Sequence, residues 1–257
     1  MTVLDKAEAS QMQSLSPPAA LALLCKEFRT PQSSAEETQF KGLLEELGCF
    51  PPAIYLCAAF LRTGRSLNDF LQEHWRRPPS LAEEVPGNST TEAAQARSSP
   101  STSAAQVPEG IRRSLYLTLD LFETGDATLQ GPFAGWRECL AAIRPRLGDP
   151  ELRSIALWCE SYLAERDGDL SSALQRTEEL VTLCESLEDL RERAMAYGRM
   201  ADLMQALDGS ADALSVRKQK ELPIYEHLGD RRAQLVTLRQ IGALLARQGD
   251  VLEALRT

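Results

Sequence analysis

No apolar run in this sequence is long enough to cross a membrane. The longest, Ala53 to Leu61, is about half the roughly 18 to 20 residues that a helical span needs. The N-terminal stretch MTVLDKAEASQMQS lacks the basic start and apolar centre of a secretory signal. Aromatic residues make up only 6% of the chain, and histidine occurs only as His74 and His227. The six cysteines, Cys25, Cys49, Cys57, Cys139, Cys159 and Cys184, form no CxxC pair and have no histidine at zinc-finger spacing. They read as small buried apolar side chains of a reducing compartment, so neither a metal site nor a disulfide framework is expected. No Gly-rich loop ends in Gly-Lys-Ser/Thr, the arrangement that cradles phosphates, and no aliphatic run ends in paired acids. No cofactor is expected.

What is present describes a soluble, acidic chain, expected in the cytoplasm. Of 257 residues, 43% are hydrophobic and 25% charged, with a formal charge of -9. That balance argues against nucleic acid or an anionic membrane as the main partner. The paired acids Glu36-Glu37 and Glu45-Glu46 read as solvated helix faces, because no partner residue accompanies them for acid–base work.

After a flexible stretch over 1–14, the pattern is helical over 15–77. Ser16-Pro17-Pro18 reads as a helix start, followed by Ala20, Leu21, Leu23 and Leu24. Phe40, Leu43, Leu44 and Leu47 form one apolar stripe, closed by Gly48. Pro51-Pro52 opens a third helix that ends at Gly64, and Ser66 caps a short fourth. Residues 78–109 differ: twenty of these 32 residues are Ser, Thr, Ala or Pro, and none is aromatic. Three large aliphatics cannot offset an ordering cost of about 1 to 2 kcal/mol per residue. This stretch is expected to be a disordered linker between two units.

Residues 110–257 carry an internal repeat. Leu147-Gly148-Asp149 recurs as Leu187-Glu188-Asp189 and Leu228-Gly229-Asp230, at steps of 40 and 41. A second marker, Gly125-Asp126, Gly168-Asp169, Gly209-Ser210 and Gly249-Asp250, interleaves with it at steps of 43, 41 and 40. Small residues stand seven or eight positions before the second marker, at Thr118, Ser161, Ala201 and Gly242, and Ala-Leu pairs follow it at 173, 213 and 254. Each unit therefore predicts a helix, a turn, a second helix and an acidic loop, stabilised by stacking on its neighbours. Pro223 predicts a kink or an early helix end near Ile224 and Tyr225.

The run Ile241-Gly242-Ala243-Leu244-Leu245, then Gln248-Gly249-Asp250 and Ala254-Leu255, resembles a tetratricopeptide repeat of the longer, kinesin-light-chain-like kind. The Gly125 turn, lengthened around Gly131-Pro132, suits a capping repeat. The resemblance implies an all-α chain: a small helical bundle, a disordered linker, then a tetratricopeptide-like αα-hairpin solenoid. It also implies a concave groove lined by first helices, with Arg193, Tyr197, Arg232, Arg239 and Gln240 as candidate partner-binding residues.

The N-terminal run from Leu47-Gly48-Cys49-Phe50-Pro51-Pro52 through Gly64 and Ser66-Leu67 resembles the small helical domain of NB-ARC-like STAND signalling ATPases. That likeness implies that Pro51 touches nucleotide, but the phosphate-binding half of such an enzyme has no counterpart here. Two functions follow as expectations. The first is a non-enzymatic interaction scaffold that binds a protein or peptide through the repeat groove. The alternative is a truncated or split regulatory part of a STAND-type switch, beginning after a missing nucleotide domain. The last repeat is expected to be incomplete after Asp250, leaving Leu244, Leu245 and Leu255 facing a missing neighbour, with self-association as one way to cover them.

Overall fold

The structure, a computed structural model, describes residues 14–76, 107–123, 134–250 and 254. The described residues are all-α, and they form two compact units that divide between Ile155 and Ala156. The expected flexible start, most of the expected linker, the Gly125 to Pro132 turn and Leu255 lie outside the described residues.

In the first unit, α1 (Pro17–Glu27), α2 (Ser34–Glu46), α3 (Pro51–Leu61) and α4 (Leu67–Phe70) follow one another, the last running into a π turn over Leu71–Trp75. They are followed by α5 (Glu109–Glu123) and α6 (Ala134–Ile143). Helix α3 has apolar residues on every side, and every residue but Tyr55 is buried, as a helix surrounded by others must be. It packs against α1, α4, α5 and α6. Helices α5 and α6, expected to open the repeat array beyond a linker, thus complete the bundle of the first unit.

The local signals work as their chemistry dictates. Prolines occupy the first turns of α1 and α3, where the missing N–H has no helical partner to lose. Ser66 and Asp69 form a reciprocal capping box on α4. Gly48 and Gly64 take the left-handed conformation at φ +66° and +85°. Five of the six cysteines are buried, and burial pushes the Cys139 and Cys184 thiols up to about 12.

The second unit holds most of α7 (Pro150–Arg166), then α8 (Leu170–Leu187), α9 (Leu190–Ala206), α10 (Ser210–Val216), α11 (Leu222–Leu228) and α12 (Arg231–Gln248). The repeated markers prove to be helix junctions. At three of them, one residue in the left-handed region ends a helix and the next side chain caps the following one. Gly168, Glu188 and Gly229 take positive φ, and Asp169, Asp189 and Asp230 accept the N–H of Ser172, Glu192 and Ala233.

The third marker differs by one position from its sequence alignment. Asp208, at φ +65°, takes the left-handed place, and Gly209, at φ −84°, takes the cap. With Asp208 matched to Gly168 and Gly249, the small residues Ser161, Ala201 and Gly242 all fall seven positions before the turn. Small residues let the helices approach: Ala164, Ala173 and Leu203 form one buried cluster, and Ala201, Ala213 and Leu244 the next. Leu244 and Leu245, expected to face a missing neighbour, are buried.

Nor does Pro223 end its helix. The chain stays helical from Ser210 to Leu228, with a π turn over Arg217–Glu221 where the Leu222 N–H reaches the Arg217 carbonyl. This wide turn precedes the ring that would otherwise clash with the carbonyl four residues back. An i→i+5 turn encloses one residue more than an α turn. With the third turn placed at Asp208, the steps from 187 to 228 and from 208 to 249, which span it, measure 41, and the steps from 147 to 187 and from 168 to 208, which avoid it, measure 40.

Glu188 pays a steric penalty that glycine avoids, since its φ is +56° at a position where the next repeat uses Gly229 at φ +66°. Glu188→Gly is expected to stabilise the chain by about 1 kcal/mol, read as a higher urea midpoint with an unchanged slope.

Candidate functional site

Helices α9 and α12 present equivalent faces, and the register shows which residues share them. Arg191 matches Arg232, Met195 matches Val236, and Gly198 matches Arg239. On this face Met195, Val236 and Leu235 are 44%, 46% and 68% exposed. Leu187 and Leu228, equivalent residues at the ends of α8 and α11, are each 40% exposed. One register step earlier, the same two positions are Leu147 and Ile155, and both are buried. Arginines flank the stripe: Arg232 and Arg239 are exposed, and Arg191 pairs with Asp230 at 3.2 Å.

The face continues onto α7 through an aromatic ladder. Trp158 and Tyr162 stack with centroids 5.8 Å apart, and the Arg199 guanidinium lies 4.3 Å from the centre of the Tyr162 ring. The Trp158 indole N–H donates to Glu192 at 3.2 Å, and Arg199 pairs with Glu165 at 2.8 Å. These contacts fix the relative phase of α7 and α9.

The five groove candidates do not form one surface. Arg232 and Arg239 lie on the apolar face just described, with Gln240 half-buried at its margin. Arg193 stands two positions beyond Arg191, and two positions turn an α-helix by about 200°. Arg193 and Tyr197 therefore point to the opposite side of α9, where they line a cleft of about 470 Å³ with Glu185, Lys220, Pro223, Ile224 and His227. Lys220 and Glu185 carry no sequence pattern of their own, and Pro223 and Ile224 are marked in the sequence only as the place of a kink.

Between α9, α12 and the π turn lies a buried ionic cluster. Arg217 is 1% exposed; one nitrogen donates to Glu221 at 2.7 Å and another to Asp202. The Thr237 hydroxyl donates to the other oxygen of Glu221 at 2.8 Å. Burial pushes the Glu221 carboxyl above its ordinary range, although the Arg217 guanidinium opposes the shift. Gly198 leaves the space: a Cβ there would stand 3.0 Å from the Glu221 Oε1.

In the first unit, Pro51 is buried in the first turn of α3. A cavity of about 540 Å³ is lined by α2, α4, Leu61 at the end of α3 and Phe28 and Arg29 just after α1, but its cations are already paired, Arg29 with Glu36 and Arg65 with Glu73. Among the described residues no three His, Cys, Asp or Glu side chains converge as metal ligands, and no helix is long and apolar enough to cross a membrane. No protein-family model matches the chain, and no curated protein sequence matches it.

Proposed function

We propose that the chain is a non-enzymatic interaction module, with tetratricopeptide-like hairpins that hold a protein or peptide partner on the shared face of α9 and α12. One observation carries this reading: two register positions that are buried at Leu147 and Ile155 lie open at Leu187 and Met195 and again at Leu228 and Val236. An apolar stripe repeated on the first helices of two successive hairpins and edged by arginines suits an amphipathic helix or extended segment whose apolar side chains fill the stripe. The arginines then favour acidic flanks and reject basic ones.

The test is a photo-crosslinking residue at position 236 of the full chain in its native cytoplasm, with and without Arg232→Glu and Arg239→Glu. One dominant adduct, lost in the double variant, is expected. An adduct pattern unchanged by the charge reversal removes the face from consideration. Both arginines are exposed, so the double variant is expected to keep its fold, within about 0.5 kcal/mol of the parent.

A further inference from the structure

The cleft on the other side of α9 has a chemistry distinct from the apolar face. Its floor is apolar, made of the Tyr197 ring, Pro223 and Ile224. Its polar rim carries the cations Arg193 and Lys220, beside the His227 imidazole and the Gln219 amide, against the single carboxylate of Glu185. That carboxylate is already engaged, accepting the Tyr197 hydroxyl at 2.9 Å. The Arg193 Nε is enclosed and has no hydrogen-bond partner. A buried guanidinium donor left unmatched is costly, and a carboxylate is the group whose planar geometry matches it. In a chain of net charge -9, such a concentration of unmatched cations is local.

The cleft volume exceeds what a simple anion fills, and the apolar floor lies beside the cations. We infer that this cleft binds a peptide segment carrying an acidic side chain next to a large aliphatic one. The carboxylate meets Arg193 and Lys220, and the aliphatic group lies on Tyr197, Pro223 and Ile224. This site is independent of the α9–α12 face, because its residues point the other way from the same helix.

The experiment uses the full chain and a fluorescein-labelled peptide, Gly-Leu-Glu-Leu-Asp-Leu-Gly, with its Gln/Asn counterpart as control. Anisotropy reads affinity, and the imidazole proton signals of the two histidines read position. The acidic peptide is expected to bind and to move the His227 signals, while the neutral one binds at least about tenfold more weakly. Lys220→Glu, at an exposed position that leaves the fold intact, is expected to weaken binding about tenfold, and Arg193→Gln similarly. The Arg232→Glu and Arg239→Glu double variant is expected to bind the peptide as the parent does. Equal binding of the neutral peptide, or no binding at all, overturns the inference. Loss of binding in the Arg232 and Arg239 variant places the peptide on the other face and also overturns it. Displacement by an equal concentration of inorganic phosphate reduces the cleft to a simple anion site and does the same.

Discussion

Arg217→Ala is expected to destabilise the chain by about 3 to 5 kcal/mol, read as a drop in the urea midpoint of the second unit. The guanidinium is buried and bonded to Glu221 and Asp202. Its removal leaves Glu221, 4% exposed, with only the Thr237 hydroxyl against its charge. The acidity of the medium offers an internal check. Burial already raises the Glu221 pKa above that of the unfolded chain, so the folded state holds the proton more tightly. The stability contributed by this group is therefore full below the unfolded pKa and falls as pH rises through the folded one. Without Arg217 the folded pKa rises further. The deficit of the variant relative to the parent should then be largest at neutral pH and shrink on acidification, as protonation removes the stranded charge. A deficit independent of pH would point to lost packing of the Arg217 stem instead. Replacing the pair together, Arg217→Met with Glu221→Leu, should cost far less than Arg217→Ala alone, because no buried charge remains.

Phe60→Ala is the counterpart in the first unit, with an expected loss of about 3 to 5 kcal/mol. Phe60 is 1% exposed on α3, and its ring stands 5.4 Å from that of Phe70 on α4. Arg65 covers its other surroundings, with the guanidinium 4.7 Å from the ring centre. Truncation removes the aromatic contact, the cation–π contact and the apolar area at once, within a helix enclosed on all sides. Near-UV circular dichroism should lose part of its signal, because Phe70 also stacks on Trp75 at 6.4 Å. Combined with Arg217→Ala, the two losses should add, since the sites share no partner and belong to different units. A cavity that collapses fully would reduce the Phe60→Ala loss to the transfer term alone, near 2 to 3 kcal/mol.

Much of the helical organisation was legible because helix junctions are written in local chemistry. A left-handed residue followed by an aspartate cap demands Gly-Asp, or a tolerated substitute, and the recurrence of that pair exposed the repeat. The one-position error at Asp208-Gly209 arose because aspartate also tolerates positive φ, while glycine serves at a cap. Sequence alone gave no warning that α5 and α6 pack on α3, since that depends on which apolar faces meet across a long separation. The groove candidates failed to converge for a simpler reason. They share equivalent helices but not one phase, since Arg193 and Arg232 differ by two positions in register. The apolar residues that matter on the α9–α12 face, Met195, Leu235 and Val236, fit a core pattern as well as a surface one. Only the exposures in the folded chain separate those readings. The ionic cluster left a single trace, the change of step from 40 to 41.

That change of step carries a consequence for how such an array can vary over time. Ordinarily a one-residue insertion in a helix rotates every later side chain by about 100° and ruins the packing of all that follows. Here the surplus residue is absorbed within Arg217–Glu221, and the helices beyond it still end on left-handed glycines, Gly229 and Gly249. The five residues act as a length buffer between two surfaces that must each keep their own phase. The extra residue is held in place by the Arg217–Glu221 salt bridge, which lies within the same turn.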